Sequence, residues 1–281
     1  MNTKYKILDC TLRDGGYYNN WDFDVSFVNK YLVAISEAKI EYVEIGFRRV
    51  GMKVYAGECA FSTEAFLKKL EIPKSLKLGV MINAKEFFGD TEELLNQNFL
   101  PADSSLIDFV RVAINFNDFM GAKKIIEILS KKGYRIGFNL MQSHGRSEQE
   151  YLDTSLEINS WGNVDMLYFA DSFGNMYPED ISKIVTSLAQ GWSGELGFHS
   201  HNNKNLALIN SIESLESGAS WCDGTILGMG RGAGNVSTET LILEVNKKFQ
   251  TSYDDPREMI YSCVASAKCK KVAYYKKIRL I

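Results

Sequence analysis

Short runs of β-branched, aromatic and other apolar residues alternate with longer segments of helical period along almost the whole chain, and this rhythm constrains the fold more than any other feature. The strand candidates are Lys6 to Leu12, Tyr42 to Phe47, Leu76 to Ile82, Phe109 to Ile114, Arg135 to Met141, Met166 to Asp171, Glu195 to His201 and Cys222 to Leu227. Between and after them, 24–38, 121–132, 148–161, 179–189, 205–217 and 235–249 repeat apolar residues with a helical period. The pattern predicts an α/β protein, a single (β/α)8 TIM barrel over 1–250, followed by a short helical tail over 251–281. A doubly wound open sheet is the competing arrangement. It would place a G-x-G-x-x-G turn after the first strand, whereas the glycine-rich run Gly228-Met229-Gly230-Arg231-Gly232-Ala233-Gly234 comes only after the last one.

Bulk properties agree with one barrel and remove several function classes. A chain of 281 residues that is 45% hydrophobic can bury a large core. Its net charge of -3 lacks the basic footprint of a nucleic-acid binder. No stretch approaches the roughly 20 apolar residues of a membrane helix, and the first residues lack a signal-type apolar run, so a cytoplasmic protein is expected. The 5 cysteines are odd in number and free of C-x-x-C spacing, which disfavours both a disulfide framework and a structural zinc site.

Barrel enzymes gather their active sites at the carboxyl ends of the strands, and polar residues collect there in this sequence. Arg13, Asp14, Glu44, Arg48, Asn83, Arg111, Asn115, Asn139, Gln142, Asp171, Ser172, His199, His201 and Asn235 all fall at or just after predicted strand ends. Strand interiors buried on both faces are normally apolar, so this load marks a site, with Glu44 and Asn139 candidate substrate-binding residues. His199 and His201 are two of only 3 histidines. Alternate strand positions share a face, which sets the two imidazoles at chelate spacing, about 6 to 7 Å apart at Cα. The alternative is a pair of half-buried histidines bonded to backbone. An oxygen ligand must come from another strand, and Asp14 is the best placed. A His-His-Asp set leaves coordination positions open, as a catalytic site requires, and is compatible with Mn2+, Mg2+, Co2+ or Zn2+.

Three segments carry a resemblance: Leu8-Asp9-Cys10-Thr11-Leu12-Arg13-Asp14-Gly15-Gly16, His199-Ser200-His201-Asn202-Asn203, and Gly228 to Asn235. Together they resemble the DRE-TIM metallolyase superfamily over roughly residues 5–250, most of all its 4-hydroxy-2-oxovalerate aldolase branch. The resemblance implies that Asp14, His199 and His201 bind a divalent metal, with Mn2+ or Mg2+ favoured and Asn235 a fourth candidate. It also implies that Arg13 stabilises enolate charge and that Ser172 helps hold a 2-oxo acid. Aldol cleavage between C3 and C4 leaves a pyruvate enolate and an aldehyde. A Lewis acid and a permanently charged guanidinium suit that enolate. No Schiff-base lysine stands at a predicted strand end.

Two departures bear on this expectation. The aldolase branch usually carries a histidine three positions after the motif aspartate; here that residue is Tyr17, so Tyr17, a metal-held hydroxide or His144 are the candidates for proton transfer. The short segment after 250 makes the branch's partner dehydrogenase unexpected, although a homo-oligomer is expected. Arg48 and Arg49 are read either as contacts to an anionic substrate or as solvent-facing charges. Among other classes, an acyl-CoA-dependent synthase like isopropylmalate synthase would continue the first motif with Gly-Glu-Gln, and a hydroxymethylglutaryl-type lyase would place a cysteine within Gly228 to Asn235; neither feature is present. A non-catalytic metal-binding barrel is the remaining alternative.

Overall fold

The computed structural model describes residues 4–258 and residue 261. Its parallel strands form one closed barrel in chain order: β1 (Lys6–Asp9), β2 (Tyr42–Phe47), β3 (Lys77–Asn83), β4 (Phe109–Asn115), β5 (Arg135–Met141), β6 (Met166–Asp171), β7 (Glu195–Ser200) and β8 (Trp221–Gly224). Register closes the ring, with Leu8 opposite Tyr42 on one side and Asp223 on the other. Helices pack outside, the longer ones at Val25–Glu37, Lys123–Lys131, Glu148–Trp161, Pro178–Gly191, Ala207–Glu216 and Thr238–Phe249. Their starts follow capping chemistry. Asp24, Ser147 and Ser237 accept hydrogen bonds from backbone amides of the first turn, satisfying donors that would otherwise have no partner.

The first and last strands are shorter than expected, for a local reason. At Asp9 the chain leaves β1 and coils into a helical turn, Thr11–Asp14. The buried Asp9 carboxylate anchors the bend by accepting from the Thr11 amide at 2.9 Å, the Tyr31 hydroxyl at 2.6 Å and the Thr238 hydroxyl at 2.5 Å. Asp14 therefore sits on a helical turn above β1 and not on the strand. After β8 the chain turns at Ile226–Gly228, where Leu227 takes a left-handed φ of 55°. His201 lies one residue past β7 and bridges Asn235.

Two cores result. Between barrel and helices lies a continuous apolar layer that includes Val43, Val80, Val112, Phe138, Phe169 and Phe198. Inside the barrel, Leu8, Cys10, Tyr42, Phe109, Met166, Tyr168 and Trp221 form a separate plug. Side chains two residues apart share a strand face, so the residues two beyond Tyr42, Phe109 and Trp221 also point inward. Those residues are Glu44, Arg111 and Asp223, all fully or almost fully buried. An apolar floor thus carries a charged layer one step nearer the carboxyl ends. Gly137 makes room for it, because a Cβ there would lie 2.9 Å from Cγ of Arg111.

Among the described residues no helix is long and apolar enough to cross a membrane. Cys10, Cys59 and Cys222 are buried free thiols. The expected helical tail, with Cys263 and Cys269, lies outside the described residues apart from its first few positions.

Candidate active site

The helical turn after β1 brings Arg13 and Asp14 over the end of β7. Nε2 of His199 lies 3.3 Å from Asp14 Oδ2, and the His199 and His201 rings meet edge to face with centroids 4.9 Å apart. Each imidazole is fixed through its other nitrogen. His201 Nδ1 donates to the Asp171 carbonyl at 2.8 Å, and His199 Nδ1 is 2.8 Å from Asp223 Oδ2. A carbonyl and a carboxylate can only accept, so both Nδ1 atoms carry a proton, and Nε2 of His199 is the nitrogen turned toward Asp14.

Electrostatics prepare the same atoms for a cation. Burial, reinforced by the neighbouring His199, depresses His201 to about 4, so its ring is neutral near pH 7. Burial alone would raise the Asp14 carboxyl, but the Arg13 guanidinium and the two imidazoles outweigh it and hold Asp14 at about 2. The buried charge cluster contains three carboxylates, Asp14, Glu44 and Asp223, against two guanidiniums, Arg13 and Arg111. Carboxylates outnumber guanidiniums by one in this layer, and His199 stands between two of those carboxylates, Asp14 and Asp223.

Two buried polar atoms beside Asp14 have no partner, Arg13 Nη2 and Asn235 Oδ1. Asn235 donates from Nδ2 to Asp14 Oδ2 at 2.7 Å, and Arg13 Nη1 donates to Asp14 Oδ1 at 2.6 Å. An unused oxygen acceptor and an unused guanidinium donor are what a cation and an anionic substrate would respectively take up. By the chemistry of its donors, two imidazoles, a carboxylate and an amide oxygen, the set Asp14, His199, His201 and Asn235 suits a divalent metal.

Among the described residues, the trio whose ligand atoms all lie within 4.8 Å of one another is a different one, Cys10, His199 and Asp223. It is the weaker candidate. Burial and then the Asp14 charge push the Cys10 thiol well up, away from the thiolate a metal needs. Asp223 Oδ2 is already shared by His199 and by Arg111 at 2.8 Å, so a cation there would meet a guanidinium.

The remaining expected residues divide. Ser172 is half-buried beside the site, and its Oγ accepts from the Gln142 amide at 2.9 Å, leaving the hydroxyl proton to donate. Glu44 and Asn139, expected to touch substrate, are instead engaged inside the charged layer. Glu44 binds Arg13 Nε through one oxygen and faces Arg111 Nη1 at 3.5 Å through the other, while Asn139 Oδ1 accepts from Arg111 Nε at 3.2 Å. Their acceptors point at guanidiniums because those charges are sealed from water and must be neutralised internally. Tyr17 is exposed at the mouth, edge-on to Trp21 at 4.8 Å, with the Arg231 guanidinium 5.0 Å above its ring. His144 is exposed, its Nε2 3.9 Å from Asp180. Arg48 and Arg49 are committed elsewhere: Arg48 binds the Ser62 and Asn98 carbonyls and Glu64, and Arg49 pairs with Glu86.

Sequence reasoning missed Asp223. The signal was available, since an acid two residues after Trp221 must share that residue's inward face if β8 is a barrel strand. The glycine-rich loop closes over the site. Tyr18 donates its hydroxyl to the Gly230 carbonyl, and the Asn202 amide donates to Gly234 O at 2.8 Å. Gly234, at φ 83°, admits no side chain, because a Cβ would lie 1.9 Å from the Gly228 carbonyl oxygen.

Comparison with known proteins bears on the family and the fold. Residues 112–259 match the family described as HMGL-like. The chain is 31% identical over 259 residues to 4-hydroxy-2-oxovalerate aldolase of Carboxydothermus hydrogenoformans, covering 90% of this chain and 74% of that one. It is 28% identical over 244 residues to oxaloacetate decarboxylase of Mycobacterium tuberculosis, covering 86% and 70% respectively. Among solved structures, the N-terminal domain of a Bacteroides vulgatus protein described as an aldolase superposes with a TM-score of 0.82 at 33% identity, over 91% of this chain and 85% of that one. Hydroxymethylglutaryl-CoA lyase of Pseudomonas aeruginosa shares the fold, with a TM-score of 0.74 at 15% identity over 93% and 91%.

Proposed function

The chain belongs to the HMGL-like family, a lyase lineage, and from that premise we propose that it breaks the bond between C3 and C4 of a 2-oxo acid by way of a pyruvate enolate. The observation that carries this reading is a pair of buried polar atoms without partners on the two residues that hold the Asp14 carboxylate beside His199. Asp14 and His199 Nε2 stand 3.3 Å apart, and the partnerless Asn235 Oδ1 and Arg13 Nη2 are buried beside them.

A divalent metal, Mn2+ or Mg2+, held by Asp14, His199 and His201 with Asn235 beside it, would supply Lewis acidity toward the keto and carboxylate oxygens. Arg13 places a permanent positive charge next to the developing enolate oxygen, and its free Nη2 proton is the donor that meets it. Glu44 and Asp14 hold the guanidinium through Nε and Nη1, so that Nη2 is the nitrogen left without a partner. Ser172 donates to the substrate carboxylate while its oxygen rests on the Gln142 amide.

In the aldol reading the substrate is a 4-hydroxy-2-oxo acid and the products are pyruvate and an aldehyde. Its C4 hydroxyl must lose a proton, and Tyr17 is the group at the mouth able to relay it. A second reading is favoured by the same residue. A phenol is a weak base at neutral pH, whereas loss of carbon dioxide from a 2-oxo dicarboxylate forms the same enolate with no proton to remove. The oxaloacetate decarboxylase relative supports keeping this reading.

Incubating Mn2+-loaded protein with pyruvate in D2O tests what both readings share. Metal-dependent deuterium entry into the pyruvate methyl group is expected, and its absence with Mn2+, Mg2+, Co2+ and Zn2+ would reject the enolate chemistry. Release of pyruvate from 4-hydroxy-2-oxovalerate or from oxaloacetate then separates the aldol reading from the decarboxylation.

A further inference from the structure

One buried chain of charges joins the ring of His199 to the guanidinium of Arg13, although the two residues come from opposite ends of the sequence. From His199 Nδ1 it runs 2.8 Å to Asp223 Oδ2, then 2.8 Å to Arg111 Nη2. From Arg111 Nη1 it continues 3.5 Å to Glu44 Oε1, and Glu44 Oε2 holds Arg13 Nε. Arg111 itself is clamped by Asn139 Oδ1 at 3.2 Å and lies 4.1 Å from the centroid of the Tyr168 ring. Its members come from β2, β4, β5, β6, β7, β8 and the turn after β1, so the chain crosses the barrel interior.

Stability alone does not account for this arrangement. A buried ion network costs desolvation, and apolar residues of the same volume would often hold a barrel together as well. Nor does the network maximise its own bonds. Asp223 spends one oxygen, Oδ2, on both His199 and Arg111, while its other oxygen, Oδ1, is buried without a partner. That choice keeps the shared oxygen on the imidazole. Tyr168 likewise leaves its buried hydroxyl without a partner and offers Arg111 a ring face.

We propose that Asp223 and Arg111 are positioning residues: Asp223 orients His199 so that Nε2 faces the metal, and Arg111 couples that orientation to the placement of Arg13 through Glu44. Neither touches substrate. The proposal rests on the metal-dependent reading above. Its mechanical content is that metal affinity and enolate stabilisation depend on the same internal bridge, so damage at either end is felt at both.

The test compares full-length wild type with Asp223→Asn and Arg111→Lys. Mn2+ is titrated and free Mn2+ followed by EPR; imidazole N–H protons are followed by NMR; kcat and KM are measured for pyruvate methyl exchange. In Asp223→Asn, Mn2+ affinity is expected to fall roughly 10- to 100-fold, the range seen when an outer partner of a ligating histidine is lost, and the exchange-protected Nδ1 proton of His199 to disappear. In Arg111→Lys, which keeps the charge and loses the fork, kcat for exchange should fall at least tenfold at saturating Mn2+ with KM for pyruvate nearly unchanged. Ile125→Val, in a helix outside the barrel, should leave all these readouts at wild-type values, which separates positioning from general loosening. Wild-type Mn2+ affinity and a retained Nδ1 proton in Asp223→Asn would overturn the inference and leave the metal reading standing. If wild type binds no Mn2+, the metal reading fails, and the Nδ1 proton still decides whether Asp223 orients His199. Should Asp223→Asn not fold, Arg111→Lys decides, and an unchanged kcat in that variant overturns the coupling.

Discussion

Arg111→Met removes the central charge of the barrel interior while keeping an unbranched apolar stem, and the consequence can be worked out from its contacts. The guanidinium is fully buried, salt-bridged to Asp223 at 2.8 Å and to Glu44 at 3.5 Å, and packed over Tyr168. Removing one partner of a buried ion pair typically costs about 3 to 5 kcal/mol, because the charge left behind has no water to return to. Here two carboxylates lose a partner, but each keeps another: Glu44 retains Arg13 and Asp223 retains His199. Those retained bonds hold the cost within that range, and the lost ring contact, about 2 kcal/mol when desolvated, moves it toward the upper end. For a barrel of this size, about 2 to 4 °C of Tm per kcal/mol gives a drop of roughly 6 to 20 °C. Urea unfolding followed by circular dichroism, with calorimetry for Tm, measures both quantities. Adding Asp223→Asn to Arg111→Met neutralises the stranded carboxylate and should restore at least about 1 kcal/mol. A single variant within about 1 kcal/mol of wild type, or a double variant less stable than the single, would refute the view that Arg111 neutralises the buried layer.

Acid should destabilise the metal-free protein in a defined window. His201 sits at about 4 when folded against 6.5 ordinarily, so its contribution is complete above pH 6.5 and is lost as pH falls toward 4. The total is about 3 kcal/mol, and His201→Gln should flatten that slope in unfolding free energy measured against pH. Asp14, at about 2 against 3.8, contributes stability above pH 3.8 that disappears toward 2. Gly46→Ala should lower stability by about 3 kcal/mol or prevent folding, since φ is 149° and a Cβ would meet the Cys59 carbonyl oxygen at 2.0 Å; a soluble, wild-type melting curve contradicts this. Tyr17→Phe should slow aldol cleavage about 100-fold while sparing pyruvate release from oxaloacetate, and equal loss in both assays would remove Tyr17 from the proton step. Arg231→Gln should raise KM for oxaloacetate several-fold with kcat little changed, because its exposed guanidinium hangs over Tyr17 at the mouth; an unchanged KM excludes a contact with the distal carboxylate.

Local pattern made much of this protein legible before any coordinates. Short apolar runs separated by helical segments yield a barrel because each strand must bury both faces and each helix one, and β2, β5 and β6 begin and end where that reasoning places them. The pairing of Arg13 with Asp14 and the shared face of His199 and His201 are likewise short-range facts, set by spacing along a few residues. Other features depend on how distant strands are staggered around the barrel, which no local window contains. That stagger brings Asp223 of β8 against His199 of β7, turns Glu44 and Asn139 toward guanidiniums, and draws Arg48 and Arg49 into ion pairs. Asp14 could be assigned to the first strand's end from sequence; that it rides on a helical turn was decided by Asp9 finding Tyr31 and Thr238, residues 22 and 229 positions away. Sequence determined which side chains could do chemistry, because periodicity fixes the face each one takes. Tertiary structure decided which of them spend their hydrogen bonds on one another and which keep one to offer, because a buried polar group must find its partner wherever the closed barrel happens to bring one.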